Sequence, residues 1–426
     1  MVGNGGVGVS MTDAEKLRIQ ALRVDQGRKE NRGRWVFIGL MVLVGLNLRP
    51  ALSSLAPLLT RIQQDTGLSA LAIGALTTLP VLCLGLFAPI APWLAKHLGA
   101  ERTLSFALLL LAVGLLLRGV PLSPLLFAGT LLVGAAIGIA GALLPALVKR
   151  EMAVGADLMT GVYTMALCLG GALGAGLSIP LTDALGGWQL GLASWSLLAM
   201  LALVGWQTLM PRRTVGVTVA DTAGSMRALL SQPLAWQVML MMGSQSSLAY
   251  IVFGWLPTLL VARGYSEADA GWMMGASVMC QLLSALLAPW LARLGRDQRP
   301  ALLVVLGCIA AGIWLLLLGP MEWRWAGVVL LGLGQGGSFS LALTLIVLRS
   351  GTSRLAGKLS GLSQGGGYTL AALGPLGVGV MLHFEAGLGR ITFVLLLITA
   401  VAAGFACLAG RNHRLEIDDT GHLVTR

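Results

Sequence analysis

The sequence predicts an all-α membrane protein with 12 transmembrane helices in two pseudo-symmetric six-helix halves. Composition excludes a soluble globule: 56% of the 426 residues are hydrophobic, 11% are charged and the mean hydropathy is +0.83. Such a chain lacks the polar groups to cover a water-facing surface. Uncharged apolar runs of about 20 residues, the length that spans a bilayer, recur along it. The chain also repeats itself. Residues 69–95 align without a gap on 266–292, pairing Ser69 with Ser266, Gly74 with Gly271, Cys83 with Cys280, and Ala91-Pro92-Trp93-Leu94-Ala95 with Ala288-Pro289-Trp290-Leu291-Ala292. Further on, Thr160-Gly161-Val162 pairs with Ser360-Gly361-Leu362, and Ala172-Leu173-Gly174 with Ala372-Leu373-Gly374.

In chain order, residues 1–34 are glycine-rich and then of mixed charge, with no apolar core of a cleaved signal, and read as a cytoplasmic N-terminal tail. Within it, Thr12 or Asp13 suits the cap of a short basic helix near anionic lipid. Hydropathy places spans at 35–59, 70–95, 103–118, 125–148, 158–181 and 188–210, the N-terminal bundle of residues 35–210. A polar linker, 211–234, leads to spans at 235–260, 267–292, 300–318, 324–348, 358–383 and 390–410, the C-terminal bundle of residues 235–410; residues 411–426 form a cytoplasmic C-terminal tail. With the N-terminus inside, most Lys and Arg fall on the cytoplasmic end, leaving Arg61, Arg118, Arg263, Arg324 and Arg390 on the other. That bias orients membrane proteins and accounts for the net charge of +11 without nucleic acid. Cys83, Cys168, Cys280, Cys308 and Cys407 lie in apolar runs and read as small buried side chains, with no disulfide framework or metal spacing. Trp35, Trp188, Trp195, Trp255, Trp272, Trp323 and Trp325 read mostly as interfacial anchors.

The first span holds Gly45-Leu46-Asn47-Leu48-Arg49-Pro50. Arg49 therefore sits at membrane depth, where a guanidinium costs about 2.5–3.5 kcal/mol on insertion scales and cannot escape by deprotonating. Pro50 lacks an N–H and frees a backbone carbonyl beside it. Such a polar, kinked spot persists only against protein or a watery cavity. No Asp or Glu occupies the middle third of any span, so a buried ion pair has no obvious partner. A small anion docked on the planar guanidinium fork completes it instead.

The Asn47-Leu48-Arg49-Pro50 motif, Arg61-Ile62-Gln63-Gln64-Asp65-Thr66-Gly67-Leu68-Ser69, Leu144-Pro145-Ala146-Leu147-Val148-Lys149-Arg150, Gly332-Leu333-Gly334-Gln335-Gly336, and Ser363-Gln364-Gly365-Gly366-Gly367-Tyr368 with Gly374-Pro375 resemble the cyanate porter and 2-nitroimidazole transporter branch of the major facilitator superfamily. The resemblance covers about residues 35–410. It implies a non-enzymatic secondary transporter of the bacterial inner membrane, with both termini cytoplasmic, working by alternating access as a monomer without cofactor. The substrate expected is a small anionic or nitro-bearing solute held by Arg49, and the competing expectation is a broad exporter of small apolar or aromatic drugs. The superfamily lines its cavity with the first, fourth, seventh and tenth helices, which implies Asn47, Gln245, Ser247, Tyr250, Gln335, Ser338 and Phe339 around Arg49, joined by Tyr163, Gln364 and Tyr368 from the fifth and eleventh. The chain departs from the superfamily's loop motif, with Lys96 where an Asp is expected and Arg293 at the repeated position, so Glu101 and Asp297 become the candidate acidic partners. With no titrating group inside a span, exchange, export, or entry of a proton carried by the substrate are the couplings open to it. The glycine runs Gly170-Gly171, Gly174-Ala175-Gly176 and Gly365-Gly366-Gly367 read as close-packing surfaces, with Pro180 and Pro375 as bends.

Overall fold

A computed structural model describes residues 33–152, 154–210, 226–418 and 422–426. The tail expected over 1–34 lies almost wholly outside the described residues, and the linker expected over 211–234 largely so. Among the described residues eleven helices are long and apolar enough to cross a membrane, or twelve if one bent pair is counted as a single span, so this is a multi-pass membrane protein. The first span, Gly33–Leu58, loses its regular helix at Arg49, resumes over Pro50–Ser53 and closes in a 3-10 turn, Ala56–Leu58. The second bends by 53° between Phe87 and Ile90, where Pro89 interrupts the ladder of backbone bonds. The eleventh breaks at Ala372 for a related reason: Pro375 has no N–H to offer the carbonyl of Ala371. Pro180, by contrast, lies inside the continuous helix Ala156–Leu185.

The internal repeat survives as repeated geometry. Ser69 caps the second span by accepting from the Ala72 N–H, and Ser266 caps the eighth by accepting from Asp269, satisfying one orphan donor at each N-terminus. The fourth span approaches the second at Gly134, where a Cβ would lie 2.6 Å from that of Cys83. The tenth approaches the eighth at Gly332, 2.7 Å from the Cβ of Cys280. Lipid tails are as apolar as leucine, so helices here associate through close packing, and glycine permits it. The halves meet by the same rule: a Cβ at Gly161 of the fifth span would sit 3.0 Å from Pro289 of the eighth, and one at Gly361 of the eleventh 3.0 Å from Pro92 of the second.

Both crossings lie toward the end that carries the described chain termini. There, Arg293 donates to both carboxylate oxygens of Asp157 at 2.5 Å, clasping the eighth span to the fifth. Glu101 takes an ion pair from Arg150 at 2.8 Å, and Asp297 one from Arg299 at 2.7 Å. Thus both acids after the departed loop motif do bind basic residues, each within its own half.

Several charged and aromatic side chains lie deeper than hydropathy suggests. Arg118, expected as an outer-end charge, is fully buried, and so is Arg349, which donates to the Ala409 carbonyl and to Gln298. Burial first, and neighbouring Arg414 second, lower Arg349 to about 10. Trp188 is buried and donates to Asp65 at 2.9 Å, and Trp195 is also buried, so neither is an interfacial anchor. The C-terminal segment is not a simple tail. Strands β1, Leu415–Ile417, and β2, Leu423–Thr425, form an antiparallel hairpin. It docks on the loop after the tenth span through Leu415 N–H to Arg349 O at 2.8 Å and Gly351 N–H to Leu415 O at 2.8 Å. Gln232, just before the seventh span, donates to the Leu423 carbonyl at 2.8 Å.

Candidate functional site

The break in the first span is cradled by the fifth. Gly170 comes against the Leu46 carbonyl and Pro50, a Cβ at Gly171 would lie 3.5 Å from that of Arg49, and Ser53 reaches the Gly171 carbonyl at 2.8 Å. A larger residue at 170 would push the two helices apart, and with them the stretch that carries Arg49. Arg49 lines a small cavity between the halves that is partly open to solvent. The guanidinium carbon stands 5.0 Å from the centroid of Phe339 on the tenth span, a cation–π contact. Among the described residues Arg49 makes no ion pair and no side-chain hydrogen bond, and no acidic residue lines the cavity. Its in-plane N–H groups are therefore available to a guest.

Three phenols surround that guanidinium. Tyr250 and Tyr368 meet edge to face at 6.3 Å between centroids, and Tyr163 is buried with its hydroxyl beside that of Thr160. Gln364 also lines the cavity, but its amide donates to the Gly141 carbonyl at 3.0 Å and to Ser360 at 2.8 Å. It therefore ties the eleventh span to the fourth, across the halves. The rest of the wall is aliphatic: Leu48, Leu52, Leu84, Ile137, Leu144, Leu167 and Leu343.

Of the nine expected site residues, Arg49, Tyr163, Tyr250, Phe339, Gln364 and Tyr368 come together on this wall. The other three do not line it. Asn47 turns back to the Leu43 carbonyl at 2.9 Å, and Gln245 donates to Ser246 at 2.7 Å on its own helix. Gln335 accepts from Gln281 of the eighth span at 3.3 Å, within the second half. Of the serines, Ser338 donates to the Gln335 carbonyl and Ser247 packs against Gly374. All five share a helix with a wall residue, and helical position alone does not reveal which way a side chain turns. Missed from sequence was Arg118, whose signal was its place as the last residue of an apolar run, next to Gly119. The site as built offers positive charge and hydroxyl donors in a mostly apolar surround. It suits a compact guest with negative charge or polarised oxygens.

Comparison with known proteins agrees with this architecture. The profile of the Major Facilitator Superfamily matches residues 36–375. A 2-nitroimidazole transporter of Escherichia coli (strain K12) is 33% identical over 387 residues, covering 90% of this chain and 98% of its own. The cyanate transport protein CynX of the same organism is 35% identical over 347 residues, 80% of this chain and 88% of its own. Among solved structures, the proton:xylose symporter XylE superposes with a TM-score of 0.71 at 13% identity, covering 88% of this chain and 94% of that one.

Proposed function

From the premise that the chain belongs to the Major Facilitator Superfamily, we propose that it carries a small anionic or nitro-bearing solute of cyanate-like size across the bacterial inner membrane by alternating access, gripped by Arg49. One observation carries this proposal: a guanidinium at membrane depth, open to a cavity and without an acidic partner among the described residues. A buried cation left uncompensated is expensive, and a bidentate anion removes the cost only while it is bound. The relatives named for cyanate and 2-nitroimidazole support the same substrate class. A planar anion or nitro group presents two oxygens, or a conjugated terminal atom, to the fork, and Tyr163, Tyr250 and Tyr368 supply hydroxyls around it. Phe339 adds a cation–π contact to the guanidinium.

Alternating access then follows from the packing. The fifth span slides on the eighth, and the eleventh on the second, across the glycine contacts at Gly161 and Gly361. Opening the end that carries the termini requires release of Asp157 from Arg293. With the basic loops inside, that end faces the cytoplasm, and the linker 211–234 joins two bundles, 35–210 and 235–410, in a functional monomer. An anion moving into a negative-inside cell works against about 2.3 kcal/mol per 100 mV, so exchange, export or co-entry of a proton on the substrate is the favoured coupling.

The test is counterflow of radiolabelled cyanate in proteoliposomes, wild type against Arg49→Lys. Lysine keeps the charge but not the planar fork, so loss of counterflow supports bidentate binding. Full counterflow in Arg49→Lys would overturn it. The aliphatic wall favours a second reading, export of apolar or aromatic drugs, which predicts dye efflux unchanged in the same variant.

A further inference from the structure

We infer that Arg118 is a positioning residue for Arg49: from the outer end of the third span it holds the broken stretch of the first in the one arrangement that aims Arg49 into the cavity. The inference rests on the anion reading of Arg49 and adds a second cation to it. Arg118 has no exposed surface, and among the described residues it meets no carboxylate. Its Nη1 donates to the Ala51 carbonyl at 2.6 Å and its Nε to the Thr130 hydroxyl at 3.1 Å, while its Nη2 has no partner among the described residues.

Ala51 is where the break needs help. Past Arg49 the backbone donors turn to other acceptors: Leu52 and Ser53 N–H both reach the Arg49 carbonyl at 3.0 Å, and Ser54 N–H that of Pro50 at 2.9 Å. The Ala51 carbonyl is left without a backbone donor among the described residues, and a buried carbonyl without a partner is costly. Arg118 satisfies it from the third span, braced by Thr130 of the fourth, whose own hydroxyl is anchored on the Leu126 carbonyl at 2.7 Å. On the opposite side, Ser53 binds the Gly171 carbonyl of the fifth span. The four residues after Arg49 are therefore pinned from both flanks. A buried guanidinium would be an expensive way to fill space, and an aliphatic side chain would pack there without the penalty. Satisfying a carbonyl two residues from the binding cation gives it a role that an aliphatic residue lacks.

The test uses the full-length protein purified in detergent, with thiocyanate as a stable linear monoanion, and reads thiocyanate affinity separately from unfolding temperature. In Arg118→Met the affinity falls about tenfold, because a small displacement of a binding group has large consequences. Arg118→Lys keeps one donor for Ala51 and returns the affinity to within about threefold of wild type. Thr130→Val keeps the charge, loosens its brace, and falls between; it also carries the test should Arg118→Met not fold. A merely structural role predicts lowered unfolding temperature with thiocyanate affinity at the wild-type level in both Arg118→Met and Thr130→Val, and that result overturns the inference. If Arg49→Ala also binds thiocyanate like wild type, the anion reading itself falls and the inference with it. Lost binding in Arg49→Ala beside intact binding in the Arg118 and Thr130 variants refutes the positioning role alone.

Discussion

The two halves share a plan and differ in charge. Gly134 on Cys83 answers to Gly332 on Cys280, and Gly161 on Pro289 to Gly361 on Pro92, so the helix crossings within and between halves are repeated almost contact for contact. The charged groups are not repeated. With Pro57 aligned on Pro257, Arg49 of the first half meets Ala249 in the second. Arg150, at the end of the fourth span, pairs with the carboxylate of Glu101, whereas Arg349, just past the end of the tenth, has the neutral Gln298. Asp157 clasps Arg293 at one crossing between the halves, and the equivalent of Asp157 at the other is Gly357. Packing is thus a property of the duplicated fold, and charge marks where the halves diverge, with the cation on one side of the cavity and an apolar, aromatic wall on the other.

The largest effect should come from moving the cation. Arg49→Ala combined with Ala249→Arg keeps the net charge, yet transport is expected to stay about a hundredfold below wild type, because the break, the glycine cradle and Phe339 do not move with the guanidinium. Recovery in a proteoliposome uptake assay would make the halves interchangeable and break the comparison. Next, Gly161→Leu and Gly361→Leu should each lower transport about tenfold, and by similar amounts, since each wedges one of two equivalent crossings. A large inequality between them would show that the crossings are not mechanically equivalent. Asp157→Asn should have a smaller effect, about threefold on the balance of states, as it removes one partly exposed ion pair. Distances between spin labels at residues 102 and 354 would widen or spread, and an unchanged distribution would mean that the clasp does not hold that end closed.

The smallest effect tests the neutral pair. Gln298→Glu recreates in the second half the acid that Glu101 supplies in the first, and should stabilise by about 1 kcal/mol through a charge-assisted bond to buried Arg349. The new carboxyl is held below its unfolded value of about 4.3, so the gain is full above that pH and disappears as the pH falls through the folded value. Thermal unfolding at neutral pH and at a pH below that unfolded value reads it directly. No gain at neutral pH would mean that Arg349 is already satisfied by the Ala409 carbonyl and Gln298.

The fold was legible in the sequence because duplication writes each crossing twice. Ser69 and Ser266, and Gly161 and Gly361, stand at matching positions in the repeat and make matching contacts. The wall of the cavity was legible in part: Arg49, Tyr250 and Tyr368 follow from unusual residues in apolar runs, but Asn47, Gln245 and Gln335 turn toward local partners that no helical register specifies. Arg118 and Arg349 looked like loop charges because hydropathy counts a charge at the end of a span as outside. Their burial depends on carbonyls of Ala51 and Ala409, which reach them only through the tertiary fold. The paired strands Leu415–Ile417 and Leu423–Thr425 escaped for a similar reason, since strands of three residues persist only when docked, here on Arg349, Gly351 and Gln232.

Binding of cyanate to the purified protein, followed as a ligand-induced thermal shift for wild type and Arg49→Ala at constant ionic strength, tests the central claim most directly. A saturable shift in the wild type that vanishes in Arg49→Ala is the expected result. Equal shifts in the two proteins would mean that the Arg49 guanidinium does not hold the guest.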